Sequence, residues 1–210
     1  MSNEKLKSQI QQMLGLQNEM NTKVHPQWRE QQFAFYRAIW TECAELMDHY
    51  GWKWWKKQDP DLDQIKLEIV DIWHFGLSIE LQNNADTDAI AEKLAGDLAS
   101  LSSGIEDFRE AVEALAMKTI ETKSFSVEHF INLMVLCDFS TDELFQQYVG
   151  KNVLNFFRQD HGYKEGTYIK IWQDDREDNE HLSEVLTQLD ASSSSFRDDV
   201  YKALSERYPD

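Results

Sequence analysis

Apolar residues recur along this chain at the three-to-four-residue spacing of helices, and no stretch longer than a few residues alternates as a strand would. The pattern predicts a first helix over Glu4–Met20, with Leu6, Ile10, Met13/Leu14 and Leu16 on one side, ended by His25-Pro26. A second, long helix is predicted over Gln27–Tyr50, with Phe33, Tyr36, Trp40, Cys43/Ala44 and Met47 as its stripe and Gly51 as its stop. After the turn Asp59-Pro60-Asp61, Leu62–Leu81 reads as a third helix on an Ile65, Ile69, Ile72, Ile79 spine. Shorter helices follow over Ala89–Leu101, Ile105–Thr122 and Val127–Leu136, broken near Ser102-Ser103-Gly104 and Ser124. Helix resumes over Asp138–Val149 from a Ser140/Thr141 cap with Glu143 nearby. The last elements are Leu182–Leu189, a hinge at Ser192–Ser195, and Phe196–Arg207. The expected fold is therefore all-α, a helical bundle within one domain over 1–210. The aromatic-poor segment about 82–104 is expected to form a smaller, mobile flap.

Composition sharpens this. With 41% hydrophobic and 12% aromatic residues in 210, a substantial core is affordable and global disorder is not expected. A net charge of −17 argues against general binding to nucleic acid or anionic membrane, because phosphates would be repelled. The two distant cysteines, Cys43 and Cys137, make a cysteine-based zinc site improbable and suit a reducing cytoplasm. The polar start MSNEKLKSQIQQM has no apolar secretory core, and no window approaches the length of a membrane span. The expected location is cytoplasmic.

Within the second and third helices the polar positions carry chemistry. Glu42 and Glu45, then Glu68 and Asp71, are carboxylate pairs three residues apart, so each pair shares a helical face. Like charges at that spacing cost an isolated helix roughly 0.2–0.5 kcal/mol, and bringing the pairs together raises the repulsion as the dielectric falls. In so acidic a chain such spacings also arise on solvated faces. Here, however, both pairs sit among Trp40, Cys43, Leu46, Ile65, Leu67, Ile69, Ile72 and Trp73. A hard divalent cation such as Mg²⁺, which takes oxygen ligands, would neutralise the cluster.

Three further features extend the site. Gln17 and Asn21 lie at i, i+4, and two carboxamides can offer the donors and acceptors that read a base edge, although a polar helix end would look the same. The link WKWWKK, Trp52–Lys57, sets aromatic faces beside lysines suited to phosphate oxygens. The segment Gly150–Trp172 is net basic in an acidic chain and holds three glycines. Its turns are expected to present backbone N–H groups to an anion. Asn152, Asn155 and Arg158 share a face of a helix there, and a basic solvated helix followed by a loop is the alternative.

Together the pieces LQNEMN (Leu16–Asn21), ECAEL (Glu42–Leu46), WKWWK (Trp52–Lys56), IKLEIVDIWHF (Ile65–Phe75) and KNVLNFFRQDHGYKEGTYIKIW (Lys151–Trp172), followed by EDN (Glu177–Asn179), resemble the all-α dimeric dUTPase family. That family is a branch of the all-α, MazG-like NTP pyrophosphatases. The resemblance implies hydrolysis of dUTP, and of dUDP, to dUMP by a homodimer. It implies two or three Mg²⁺ ions, replaceable by Mn²⁺, on Glu42, Glu45, Glu68 and Asp71. Gln17, Asn21 and a tryptophan of the link, Trp52 or Trp55, would bind uracil, walled by His74 or Phe75. Lys53, Lys56, Lys151, Asn155, Arg158, Tyr163, Lys164 and Lys170 would meet phosphates or sugar, with Asn179 a further carry-over. Glu45 is the carboxylate expected to orient the attacking water. The alternatives are another all-α nucleotide pyrophosphatase, acting on dCTP or on several NTPs, and an acidic helical protein that binds a regulator.

Overall fold

The computed structural model describes residues 3–99, 102, 104–172, 175–191, 193 and 195–209. Among them are nine α-helices, and the only β pairing is an isolated bridge between Ile171 and Glu177. The fold is all-α, as the periodicity predicts. The chain forms two compact units, Met1–Phe145 and Gln146–Asp210.

The first unit is organised around α3 (Leu62–Asn83), which packs against α1 (Asn3–Val24), α2 (Phe35–Tyr50), α4 (Thr87–Leu98) and α6 (Val127–Leu136). Its expected isoleucine spine is buried, and Leu67, Val70, Trp73, Leu77 and Leu81 are buried as well, so α3 is apolar nearly all round. Asp61 caps its start by accepting from the Gln64 N–H at 3.2 Å. Gly76 lets the ring of Phe125 close on the helix, since a Cβ there would lie 2.8 Å from it. The segment expected as a flap contains α4, capped by Asp86 and burying Ile90, Ala91, Leu94, Ala95 and Leu98. Ser100, Leu101 and Ser103 lie outside the described residues.

Two sequence expectations shift here. Helix α1 runs on to Val24, and α2 begins only at Phe35. Residues 25–34 are turns, with Gln32 in the left-handed region at φ 51° and Trp28 buried. Arg29 holds them by donating to the Leu81 carbonyl at 2.8 Å and to Asn18 Oδ1 at 3.1 Å. The buried stripe of α2 is Ile39, Cys43 and Leu46, not the one phased on Phe33, Tyr36 and Trp40. Phe33 and Trp40 are exposed. Their size suggested an inward face, whereas packing on α3 and α5 (Phe108–Thr122) selects the smaller residues.

Helix α7 (Thr141–Asp160) starts in the first unit and continues into the second. Its start is a capping box. The Glu143 carboxylate accepts from the Ser140 N–H at 2.9 Å, and Ser140 Oγ accepts from the Glu143 N–H at 3.2 Å. In the second unit, α8 (Asp178–Gln188) packs against α9 (Phe196–Ser205). Phe157 gathers the rings of His161, Trp172, Tyr201 and Tyr208 around it. Gly150 belongs to the interior of α7, where a Cβ would lie 2.6 Å from Leu186; it is a close-packing glycine rather than a turn. Asp174 and the hinge residues Ser192 and Ser194 lie outside the described residues.

Candidate active site

Helices α2 and α3 form an antiparallel hairpin, closed where the Asp61 N–H meets the His49 carbonyl at 3.0 Å. Across it, Glu42, Glu68 and Asp71 each offer a carboxylate oxygen, all within 4.8 Å of one another. Glu68 is only 4% exposed, while Glu42 and Asp71 are half-buried. An ion with oxygen ligands at about 2.1–2.5 Å spans ligand pairs up to about 4–5 Å apart, so this donor set fits a hard divalent cation. His49, two turns along α2 from Glu42, brings Nε2 to 3.6 Å from Glu68 Oε1.

Glu45, the fourth expected carboxylate, is exposed and outside this group. Three residues along a helix turn a side chain about 60° off the first, so Glu42 and Glu45 do not present their carboxylates to the same point.

The aromatic link forms the hairpin's turn. Gly51, at φ 88°, ends α2, and Arg109 of α5 holds its carbonyl through Nε at 2.9 Å and Nη2 at 2.6 Å. The same guanidinium sits over the Tyr50 ring. Trp52 donates to Asp48 at 2.8 Å, and Lys53 lies over the Trp52 ring. Trp54 is 90% exposed; Trp52, Trp55 and Lys56 are also exposed.

Gln17 and Asn21 are not at a frayed polar end. They occupy the buried stripe of α1 and meet α3. Gln17 Nε2 donates to Asn21 Oδ1 at 3.1 Å and to Ser78 Oγ at 2.9 Å, and Asn21 Nδ2 donates to the same Ser78 Oγ at 3.0 Å. Ser78 donates to the His74 carbonyl, and His74 Nδ1 is 2.7 Å from Gln17 Oε1. His74 is buried and Phe75 half-buried. Asp71, His74 and Ser78 stand at i, i+3 and i+7 on α3, so they lie near one face.

In the second unit the basic residues are internally engaged. Arg158 donates from Nε and Nη2 to the two oxygens of Asp178, both at 2.8 Å, and Tyr168 donates to Asp178 Oδ2 at 2.8 Å. Burial alone would raise the Asp178 carboxyl, but the Arg158 fork and the Tyr168 hydroxyl outweigh it and hold it below the usual carboxylate range. Lys151 is buried and donates to Asn179 Oδ1 at 2.9 Å, which also takes a 3.3 Å bond from Arg158. Asn155 accepts from Arg158 at 3.4 Å. Lys170 pairs with Glu177 at 2.8 Å, and Tyr163 and Lys164 are exposed. The glycines of this segment differ from expectation. The N–H groups of Gly162 and Gly166 close local turns onto the Gln159 and Tyr163 carbonyls.

Sequence reasoning missed Ser78, Asp178, Tyr168 and Arg109. The first carried a signal, because His74 and Ser78 repeat at i, i+4 inside an otherwise apolar run. Nothing local marks Asp178 as a guanidinium partner within its acidic surroundings.

Three carboxylates able to hold a divalent metal thus gather on α2 and α3, with buried carboxamides on the adjoining α1. The profile of the dUTPase family matches residues 9–163, a span containing the triplet, the link and the carboxamides. The chain belongs to this all-α dUTPase family, whose members are dUTP diphosphatases, hydrolases of a nucleoside triphosphate. No curated protein matches the chain. No helix among the described residues is long and apolar enough to cross a membrane.

Proposed function

We propose that this protein hydrolyses dUTP to dUMP and pyrophosphate, accepts dUDP, works as a homodimer, and uses Mg²⁺ held by Glu42, Glu68 and Asp71. The observation that carries this reading is the convergence of those three carboxylates within the family-matching span. A divalent ion bound there would supply positive charge against the triphosphate and acidify a water. Glu45, three residues along α2 from Glu42 and outside the triplet, takes the proton of the attacking water or orients it. Gln17 and Asn21 read the base, and Trp52 or Trp55 stacks on it. Lys53 and Lys56 in the link are assigned to phosphate contacts. No protein nucleophile is required. Water adds to phosphorus, the bridging P–O bond between the α and β phosphates breaks, and the proton leaves through Glu45.

The test is turnover of a panel of dNTPs and NTPs with Mg²⁺, with product analysis. Preference for dUTP with release of pyrophosphate supports the reading. A higher kcat/KM for dCTP, or equal turnover of all nucleotides, would replace it with another all-α nucleotide pyrophosphatase. Light scattering should give twice the monomer mass.

A further inference from the structure

The Gln17–Asn21–His74 chain has a property that the residue types alone do not reveal. Carboxamide O and N are nearly isosteric, and a neutral imidazole has two tautomers. Reversing Gln17, Asn21 and the His74 tautomer together would therefore keep both links of the chain. His74 Nδ1 would accept from Gln17 Nε2, and Gln17 Oε1 from Asn21 Nδ2. By themselves these residues do not choose between the two polarities.

Ser78 does. Its hydroxyl is fully buried and has one proton, already donated to the His74 carbonyl at 3.0 Å. Its oxygen accepts from Gln17 Nε2 at 2.9 Å and from Asn21 Nδ2 at 3.0 Å. In the reversed state two carboxamide oxygens would face that oxygen, with at most one proton for both contacts. The arrangement with both nitrogens toward Ser78 is thus fixed, and with it a His74 that carries its proton on Nδ1.

Uracil and cytosine differ by this inversion. Uracil presents an N3 donor beside an O4 acceptor, and cytosine an N3 acceptor beside an amino donor. A carboxamide free to turn over reads both bases; one whose polarity is locked reads one. Ser78 also lies seven residues beyond Asp71 on α3, roughly 10 Å along the axis, a spacing comparable to a nucleoside between metal and base.

We infer that Ser78 is the specificity-determining positioning residue, whose hydroxyl locks the carboxamides in the polarity that accepts uracil and rejects cytosine. This rests on the dUTP reading above, with Gln17 and Asn21 at the base.

The experiment compares kcat/KM for dUTP and dCTP in the wild type, Ser78→Ala and Ser78→Cys, with circular dichroism to confirm folding. The thiol fills the site with a somewhat larger atom but accepts hydrogen bonds weakly. Either folded variant should narrow the dUTP/dCTP ratio at least tenfold, with dCTP turnover rising in absolute terms, which a merely structural defect would not produce. A ratio within twofold of the wild type, or a parallel fall for both substrates, overturns the inference. Nitrogen-15 shifts of the wild-type imidazoles give a reading independent of any variant: His74 should carry its proton on Nδ1, and protonation on Nε2 alone overturns the lock. A wild type that does not prefer dUTP would sink the functional reading instead, whatever the tautomer.

Discussion

Arg158 and Asp178 meet as a fork on a fork, with Nε and Nη2 each 2.8 Å from a different oxygen of a carboxylate that is 0% exposed. A buried ion pair contributes little net stability over an apolar pair, but removing one partner leaves a charge without compensation. Arg158→Met should therefore destabilise the protein by about 3–5 kcal/mol, read by urea denaturation at pH 7.

The pH dependence of that pair has a definite sign. Asp178 is depressed in the folded state, so its contribution is present above the unfolded carboxyl pKa, about 3.9. It is lost as pH falls through the lower folded value. The stability gap between wild type and Asp178→Asn should be full at pH 6–7 and shrink below about pH 4. A gap that persists unchanged at pH 3 would mean that the carboxylate charge is not what Arg158 requires.

Glu68 and Glu45 should separate metal binding from proton transfer. Glu68→Gln removes the buried member of the triplet, and Mn²⁺ affinity by calorimetry should fall at least tenfold with activity. Glu45→Ala should leave Mn²⁺ affinity within about threefold and lower kcat by about 10²–10⁴-fold, the usual worth of a general base. Equal loss of metal by both variants would return Glu45 to the ligand set.

Gly76 admits the Phe125 ring, and an added methyl would lie 2.8 Å from it. Since Phe125 packs against Trp73 and Phe130, it has little room to retreat. Gly76→Ala should destabilise by about 1–3 kcal/mol despite alanine's better helix propensity, seen as a lower thermal midpoint.

Both thiols should be silent in the native protein. Burial pushes Cys43 up to about 12 and Cys137 up to about 11, and the thiolate is the reactive form. Ellman's reagent at pH 8 should titrate neither thiol until denaturant is added. Rapid native reaction of one would show that its helix opens locally.

Much of the architecture was legible in the sequence because helix periodicity is a local property. The 3.6-residue repeat brought out α3, its isoleucine spine, the break at His25-Pro26 and the Gly51 stop without reference to any partner. It also put Glu42 with Glu45, Glu68 with Asp71, and Gln17 with Asn21 on shared faces. Periodicity does not say which way a face points. The stripe of α2 was misphased because Phe33 and Trp40 are large and apolar, yet the surface they would have to meet belongs to α3 and α5.

Sequence alone therefore determined an all-helical chain, its acidic pairs and the shared face of Gln17 and Asn21, since these follow from residue spacing along one helix. Tertiary packing decided that Glu42, and not Glu45, joins Glu68 and Asp71. It also decided that Asp178 claims Arg158, that Gly150 is a contact rather than a turn, and that Ser78 orients two amides 57 and 61 residues away. Each of those outcomes depends on the angle at which one helix meets another, and a sixty-degree turn about an axis is invisible in a sequence read one helix at a time.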